Sequence, residues 1–164
     1  MALQHDAVPA RLSKSESEDR LRVALDAAGI GVVQWEPASA RLTYGGHVRG
    51  VFGRDAESLP DTLDGLLDLL HPEDRPRISA HVRAIIKAPA TEGGAFDAEL
   101  RVSQPDGSHL WVSAQGQRFF DAEGRLTRFV VVGRNITAGR LVEEESAARA
   151  QLLDRKSTRL NSSH

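Results

Sequence analysis

The sequence predicts an α+β domain, with helices gathered on one side of an antiparallel sheet. Three observations lead to this prediction. Apolar residues recur at helical spacing in the first ninety residues, and they alternate with polar residues along three later stretches between residues 96 and 135. Tight-turn sequences separate these three stretches. Apolar residues make up 40% of the 164 residues, enough for one domain with a buried core.

The chain begins with signals for a helix and then a hairpin. Ser15 and Glu18 have the spacing of a capping box, and the apolar series that follows them ends at Gly29. IGVVQWE and RLTYG, separated by PASA, predict two paired strands with Val33 and Trp35 on one face. A short helical turn is expected around HVRGVFG.

Two further helices are predicted between residues 63 and 86. The first has an apolar stripe at spacings of three and four and ends at His71-Pro72; the stripe is Leu63, Leu66, Leu67 and Leu70. The second begins at Pro72, where Glu73 and Asp74 favour the positive end of the helix and Arg75 pairs with one of them. Its buried face is Ile78, Val82, Ile85 and Ile86.

Three long strands joined by short turns follow, as an antiparallel meander. The first strand places alternate residues on one face: Phe96, Ala98, Leu100 and Val102. QPDGS and DAEGR are turn sequences that separate it from HLWVSAQGQRFF and LTRFVVVGRNI. Asn135 and Thr137 then favour a helix start, and a charged helix is predicted from Ala138.

The composition argues against several functions. The net charge is −2 and the basic residues are scattered, so the sequence does not predict a nucleic-acid-binding surface. No apolar run is long enough to span a membrane. The chain has no cysteine, which rules out disulfides, thiolate metal sites and thiol photochemistry. The N-terminus lacks the apolar core of a secretory signal, so we expect a cytoplasmic protein.

Three stretches together resemble the PAS domain family, in its fold-3-like form with a PAC motif. They are LHPEDR (70–75), RVSQPDGSHLWVSAQG (101–116) and DAEGRLTRFVVVGRNIT (121–137), and the resemblance extends over residues 21–137. The closing Asp that is usual in this family is Asn135 here, so a salt bridge made by that Asp in relatives becomes a neutral hydrogen bond in this chain.

The resemblance implies a five-stranded antiparallel sheet whose concave face, covered by helices, forms either a ligand pocket or a plain core. It implies a sensory and dimerising module with no catalytic residues. No convergent polar groups are apparent among the expected inward-facing residues to orient a ligand. These residues are Val33, Trp35, Phe96, Leu100, Val112, Ala114, Val131 and Gly133 from the strands, and Phe52, Val82 and Ile86 from the helices.

No particular cofactor is predicted, and none is required. Haem needs an axial ligand, and His81 lies in the region where haem-binding relatives place theirs, but the helical spacing puts it beside the buried face and facing solvent. His71, Glu73, Asp74 and His81 could suggest a metal site, but a helix start explains the same residues. His71 and Asp74 could also form an acid–base pair, although no nucleophile accompanies them.

Trp111 is predicted on the outer face of the sheet, where a large exposed aromatic side chain needs cover. Two elements could provide this cover: the helix of Leu21 and Leu25 from the same chain, and a second protomer. The second would make the domain a dimerisation module with Trp111 in its interface.

The chain divides into four predicted parts: a disordered N-terminus (1–14), a sensor domain with its flanking helix (15–137), a signalling linker helix (138–153) and a tail (154–164). The linker is thinly apolar, so it needs a partner, either its copy in a homodimer or the next domain. Asn135 and Thr137, where this helix begins, are expected to carry signal output. The linker sequence EEESAARAQLL resembles the lead-in to histidine kinase dimerisation regions, although diguanylate cyclases and transcription factors use similar linkers. The tail, DRKSTRLNSSH, resembles the translation of a sequencing-adapter oligonucleotide, so we expect an artefact in a fragment of a bacterial sensor protein.

Overall fold

Five antiparallel strands form one sheet in this computed structural model, which describes residues 13–161. The strands are β1 (Ile30–Glu36), β2 (Arg41–Gly46), β3 (Phe96–Ser103), β4 (His109–Phe120) and β5 (Leu126–Asn135). Their order across the sheet is β2-β1-β5-β4-β3, so the first and last strands lie side by side at its centre. The predicted α+β class and the five-stranded sheet are confirmed.

Five α-helices accompany the sheet in the described part of the chain. They are α1 (Lys14–Ala28), α2 (Val48–Phe52), α3 (Leu63–Leu67), α4 (Arg75–Lys87) and α5 (Thr137–Asn161), with a 3-10 turn at Ala56–Ser58. The core lies between the inner face of the sheet and helices α2, α3 and α4. Val102, Val51 and Ile78 are its most deeply buried side chains, each 2% exposed or less.

The first helix begins slightly earlier than the sequence predicts. Ser13 is the N-cap, and its hydroxyl accepts a hydrogen bond from the Glu16 N–H at 3.1 Å. The predicted capping pair of Ser15 and Glu18 is therefore wrong by two residues, since Ser13 and Glu16 have the same spacing. Gly29 ends the helix in the left-handed region at φ 69°, as predicted.

The boundary between α3 and α4 also differs from the prediction. Helix α3 ends at Leu67, and Leu70 instead forms a bridge with Val102 at the free edge of β3. Two backbone hydrogen bonds flank this bridge: the His71 N–H donates to the Arg101 carbonyl at 2.9 Å, and the Ser103 N–H donates to the Leu69 carbonyl at 2.8 Å. This pairing gives hydrogen-bond partners to backbone groups at the free edge of β3. The helix therefore ends before Leu70, which pairs with β3 instead.

Helix α4 begins at Arg75, three residues after the predicted start at Pro72. Arg75 does not pair with Glu73 or Asp74: its guanidinium donates to the carbonyls of Asp68 and Leu70, at 2.9 and 3.3 Å. The predicted buried face of α4 is confirmed at Ile78, Val82 and Ile85, while Ile86 is partly buried.

Helix α5 is 25 residues long and continues past the predicted linker end at 153 to Asn161. Most of the predicted tail is thus helical, and the origin of residues 154–164 stays a prediction. Residues 1–12, predicted to be disordered, lie outside the described residues, as do 162–164. Within 13–161, no helix has both the length and the apolar character that crossing a membrane requires.

Candidate functional site: an apolar cavity beside the start of the last helix

A cavity of about 100 Å³ lies between the inner face of the sheet and the helices. All of the predicted pocket residues line it except Ile86, which packs beside it against the core. The sequence left open whether this face forms a ligand pocket or a plain core, and the structure has an interior space there. Its use as a ligand site stays a prediction. The lining residues that the sequence analysis did not name for the pocket are Gly31, Leu42, Val51, Leu63, Leu66, Leu67, Leu70, Ile78 and Phe129.

Two glycines in the central strands let α2 lie close against the sheet, where it forms one wall of the cavity. A Cβ added to Gly31 would lie 3.1 Å from a Val51 methyl and 3.2 Å from the Val48 Cα. A Cβ added to Gly133 would lie 3.3 Å from a Val112 methyl and 3.5 Å from Val51. Helix α2 therefore packs closely on β1 at Gly31, and at an ordinary van der Waals distance on β5 at Gly133.

The same helix α2 is tied to the start of α5 through Asn135. The Asn135 Nδ2 donates to the carbonyl of Gly50 in α2 at 2.9 Å. The Asn135 Oδ1 accepts from the Thr137 backbone N–H at 2.9 Å and from the Thr137 hydroxyl at 2.6 Å. An amide makes this two-sided bridge because it has both donors and acceptors, whereas an ionised Asp would only accept.

Thr137 extends this bridge to the neighbouring strand. Its Oγ1 accepts a hydrogen bond from the Trp111 N–H at 2.9 Å, and the Ile136 N–H donates to the Trp111 carbonyl at 2.8 Å. The junction formed by residues 135–137 therefore holds α2, β4 and the first turn of α5 together. Asn135 and Thr137 are the residues that the sequence predicted for signal output.

Two arginine side chains lie against the Trp111 ring. The Arg140 Cζ is 4.2 Å from the Trp111 ring centroid and the Arg101 Cζ is 5.3 Å from it. The predicted cover by α1 is wrong, because α1 packs against β1 and β2 at the far side of the sheet. Cover by a second protomer stays a prediction. It is less necessary, because arginine side chains of the same chain already contact the Trp111 ring.

Arg101 is held beside Trp111 by a buried ion pair. Asp74 is 6% exposed and accepts hydrogen bonds from the Arg101 N–H, Nη2 and Nε at 2.8, 2.9 and 3.1 Å. The side-chain hydrogen bond from Arg101, together with its charge, lowers the pKa of Asp74 despite the opposing effect of burial. Glu73 also binds Arg101, at 3.1 Å.

This pairing bears on the metal site that the sequence suggested. The Asp74 carboxylate is committed to Arg101, and His81 packs against Phe96 with ring centroids 5.1 Å apart. His81 is therefore half-buried rather than solvent-facing, and it does not line the cavity. Over residues 13–161, no group of three or more His, Cys, Asp or Glu side chains is placed to hold a metal ion.

Comparison with protein families gives one match that spans most of the sheet. The family model described as the PAS fold matches residues 41–133, which include β2, β3, β4, helices α2 to α4 and β5 up to Gly133.

Two curated relatives are similar over most of this chain. A two-component sensor of Pseudomonas aeruginosa, PprA, is 29% identical over 140 residues, which cover 84% of this chain and 14% of that protein. A non-motile and phage-resistance protein of Caulobacter vibrioides is 28% identical over 137 residues, covering 81% of this chain and 15% of that protein. The chain thus spans about one seventh of the length of these relatives.

Two solved structures share the fold. A sensory box histidine kinase/response regulator of Burkholderia thailandensis superposes with a TM-score of 0.63 at 24% identity, covering 83% of this chain and 98% of that one. The N-terminal domain of a diguanylate cyclase with a PAS/PAC sensor from Marinobacter aquaeolei superposes with a TM-score of 0.57 at 15% identity, covering 68% and 98%.

Proposed function

The chain belongs to the PAS fold family, and we propose that it is a sensory input module that reports occupancy of its cavity through α5. The observation that carries this proposal is the bridge made by Asn135. It connects the carbonyl of Gly50, next to the cavity residues Val51 and Phe52, with the first residue of the last helix. In this proposal the module makes and breaks no covalent bonds.

The coupling works through a change in the position of α2. A ligand that binds better when α2 lies farther from β1 and β5 favours that arrangement to the extent of its difference in affinity. The Gly50 carbonyl then moves relative to Asn135, and the Asn135 contacts with Thr137 change with it. The first turn of α5 therefore responds to a change inside the cavity.

The chemistry of the cavity favours a small apolar ligand. Its lining consists of aliphatic and aromatic side chains and glycine, and a dry apolar cavity of comparable size takes up benzene or xenon in other proteins. Pockets for drug-sized molecules measure about 300–1,000 Å³, so haem or flavin would require the core to expand. A carrier of such a cofactor is the weaker alternative, because His81 does not line the cavity.

We propose that the effector is a sensor histidine kinase. The similar Pseudomonas protein is a two-component sensor and the similar Burkholderia protein is a sensory box histidine kinase/response regulator, which supports this choice. A diguanylate cyclase effector is the alternative, in line with the Marinobacter structure. A cytoplasmic setting is part of the same proposal, and the lack of cysteine among the 164 residues supports it.

A homodimer formed by α1 and α5 fits the same function. The C-terminus of α1 and the N-terminus of α5 emerge at the same end of the sheet, because Ile30 pairs with Arg134 in the neighbouring central strand. Both helices expose large apolar side chains that a partner would cover: Leu21, Val23, Leu141, Val142, Leu152 and Leu153. Analytical ultracentrifugation tests the proposal, because Leu141→Ser combined with Leu152→Ser should shift a dimer to monomer.

Ligand binding is tested by NMR under xenon pressure. The methyl resonances of Val82, Val112 and Val131 should shift and saturate, because these side chains line the cavity. Ala114→Leu fills the cavity and should abolish the shifts, whereas the same change at exposed Ala84 should not. Equal, unsaturable shifts at the exposed Val23 and Val142 would refute a binding site.

A further inference from the structure

We infer that Arg140 and Trp111 form a latch, in which the stacked guanidinium holds the first turn of α5 on the sheet and its release frees the helix. This inference rests on the proposed function, because it takes α5 as the output element. It goes further by naming the contact that sets how firmly the output helix is docked.

Arg140 marks the point where α5 leaves the body of the domain. Its side chain is 31% exposed, whereas residues 141–159 are all exposed. The turn before Arg140 is held by Thr137 and Ile136, which hydrogen-bond to the backbone of Trp111 on both sides. Arg140 is therefore the last partly buried side chain of α5 within residues 137–159.

Arg101 is held firmly beside Trp111, whereas Arg140 can move away from it. Arg101, the second guanidinium beside Trp111, is 18% exposed and bound by Asp74 and Glu73, so it cannot leave without breaking a buried ion pair. Arg140 pairs with Glu99, whose side chain is 49% exposed. An ion pair this close to solvent contributes little and weakens with salt, so the stack on Trp111 is the stronger part of the latch.

A contact of this strength allows α5 to exchange between a docked and an undocked state. Removing a cation–π contact of this kind shifts an equilibrium by roughly 2- to 30-fold. The undocked helix is thus a minor state that a ligand or partner with a modest preference can make dominant. A stronger contact would keep α5 docked even when a ligand binds in the small cavity.

Amide hydrogen exchange of the full chain tests the latch without a ligand. The amides of Ile136 and Trp111 donate the hydrogen bonds that cross the junction, so they exchange when the first turn undocks. Arg140→Gln should raise both exchange rates by roughly 2- to 30-fold. Arg149→Gln is the matched control, since Arg149 pairs with Glu145 on the exposed part of the same helix and should leave both rates unchanged.

Two further variants separate the stack from the ion pair. Arg140→Lys keeps the charge but loses the flat guanidinium, so it should raise the rates by an intermediate amount, and Glu99→Gln should raise them less than Arg140→Gln. Unchanged rates in Arg140→Gln, or a full effect in Glu99→Gln with none in Arg140→Lys, would overturn the latch. Xenon binding should be unaffected by Arg140→Gln, so a failed latch and a failed ligand site give different results.

Discussion

Replacing Asp74 with Asn should destabilise the domain strongly, because it breaks the ion pair that holds Arg101 beside Trp111. The carboxylate is 6% exposed and receives three hydrogen bonds from Arg101. Breaking a buried ion pair from one side costs about 3–5 kcal/mol. Asn keeps one acceptor oxygen, and Glu73 still binds Arg101, so we expect a loss of about 2–3 kcal/mol in the free energy of unfolding.

Urea denaturation at pH 7, followed by tryptophan fluorescence, measures this loss. Asp64→Asn is the matched control, because Asp64 pairs with Arg83 at the surface, with side chains 78% and 50% exposed. That pair should contribute at most about 1 kcal/mol. Equal effects of the two substitutions, or a loss below about 0.5 kcal/mol for Asp74→Asn, would show that the buried pair does not stabilise the fold.

The pH dependence gives a second measurement on the same variant. Because the folded protein lowers the pKa of Asp74, its contribution is complete above the ordinary aspartate pKa of about 3.9 and is lost as the pH falls through the lowered value. The stability difference between the wild type and Asp74→Asn should be constant from about pH 7 to pH 5 and shrink below about pH 4. A difference that persists unchanged in acid would contradict the assigned charge.

Three other predictions concern packing and the ends of the elements. Gly31→Val should cost about 1–3 kcal/mol by overpacking against Val48 and Val51, measured by thermal melting, and an unchanged melting temperature would argue against close packing of α2. Arg118→Gln should speed amide exchange in residues 88–92, since the guanidinium binds carbonyls there; unchanged exchange would contradict this role. Deleting residues 154–164 should leave the melting temperature unchanged, and a drop of several degrees would refute the interpretation of this segment as an artefact.

The strands follow from local sequence, and the structure confirms them almost to the residue. Alternation of apolar and polar side chains is a local signal, and the turns between β3, β4 and β5 carry the glycines that adopt positive φ, Gly107 and Gly124. The predicted pocket residues line one cavity for the same reason, since alternate residues on paired strands share a face. Phe129 was missed although it lies two positions before Val131 on the same strand and therefore shares its face.

Features that depend on distant partners could not be read from the sequence. Leu70 continues the helical stripe, yet it pairs with Val102, thirty-two positions along the chain. Asp74 stands next to Arg75, but its partner is Arg101, which the fold brings to it through the edge of β3. The cover of Trp111 by Arg140 likewise depends on where α5 starts, and helix propensity does not contain this information.

Amide exchange of α5 under xenon, in the wild type and in Asn135→Ala, tests the central claim most directly. Filling the cavity should change the exchange rate of the Thr137 amide in the wild type. In Asn135→Ala the methyl shifts of the cavity residues should remain, whereas the effect on α5 should disappear, because the connection between Gly50 and Thr137 is lost. Saturable xenon binding with an unchanged Thr137 amide in the wild type would contradict the account.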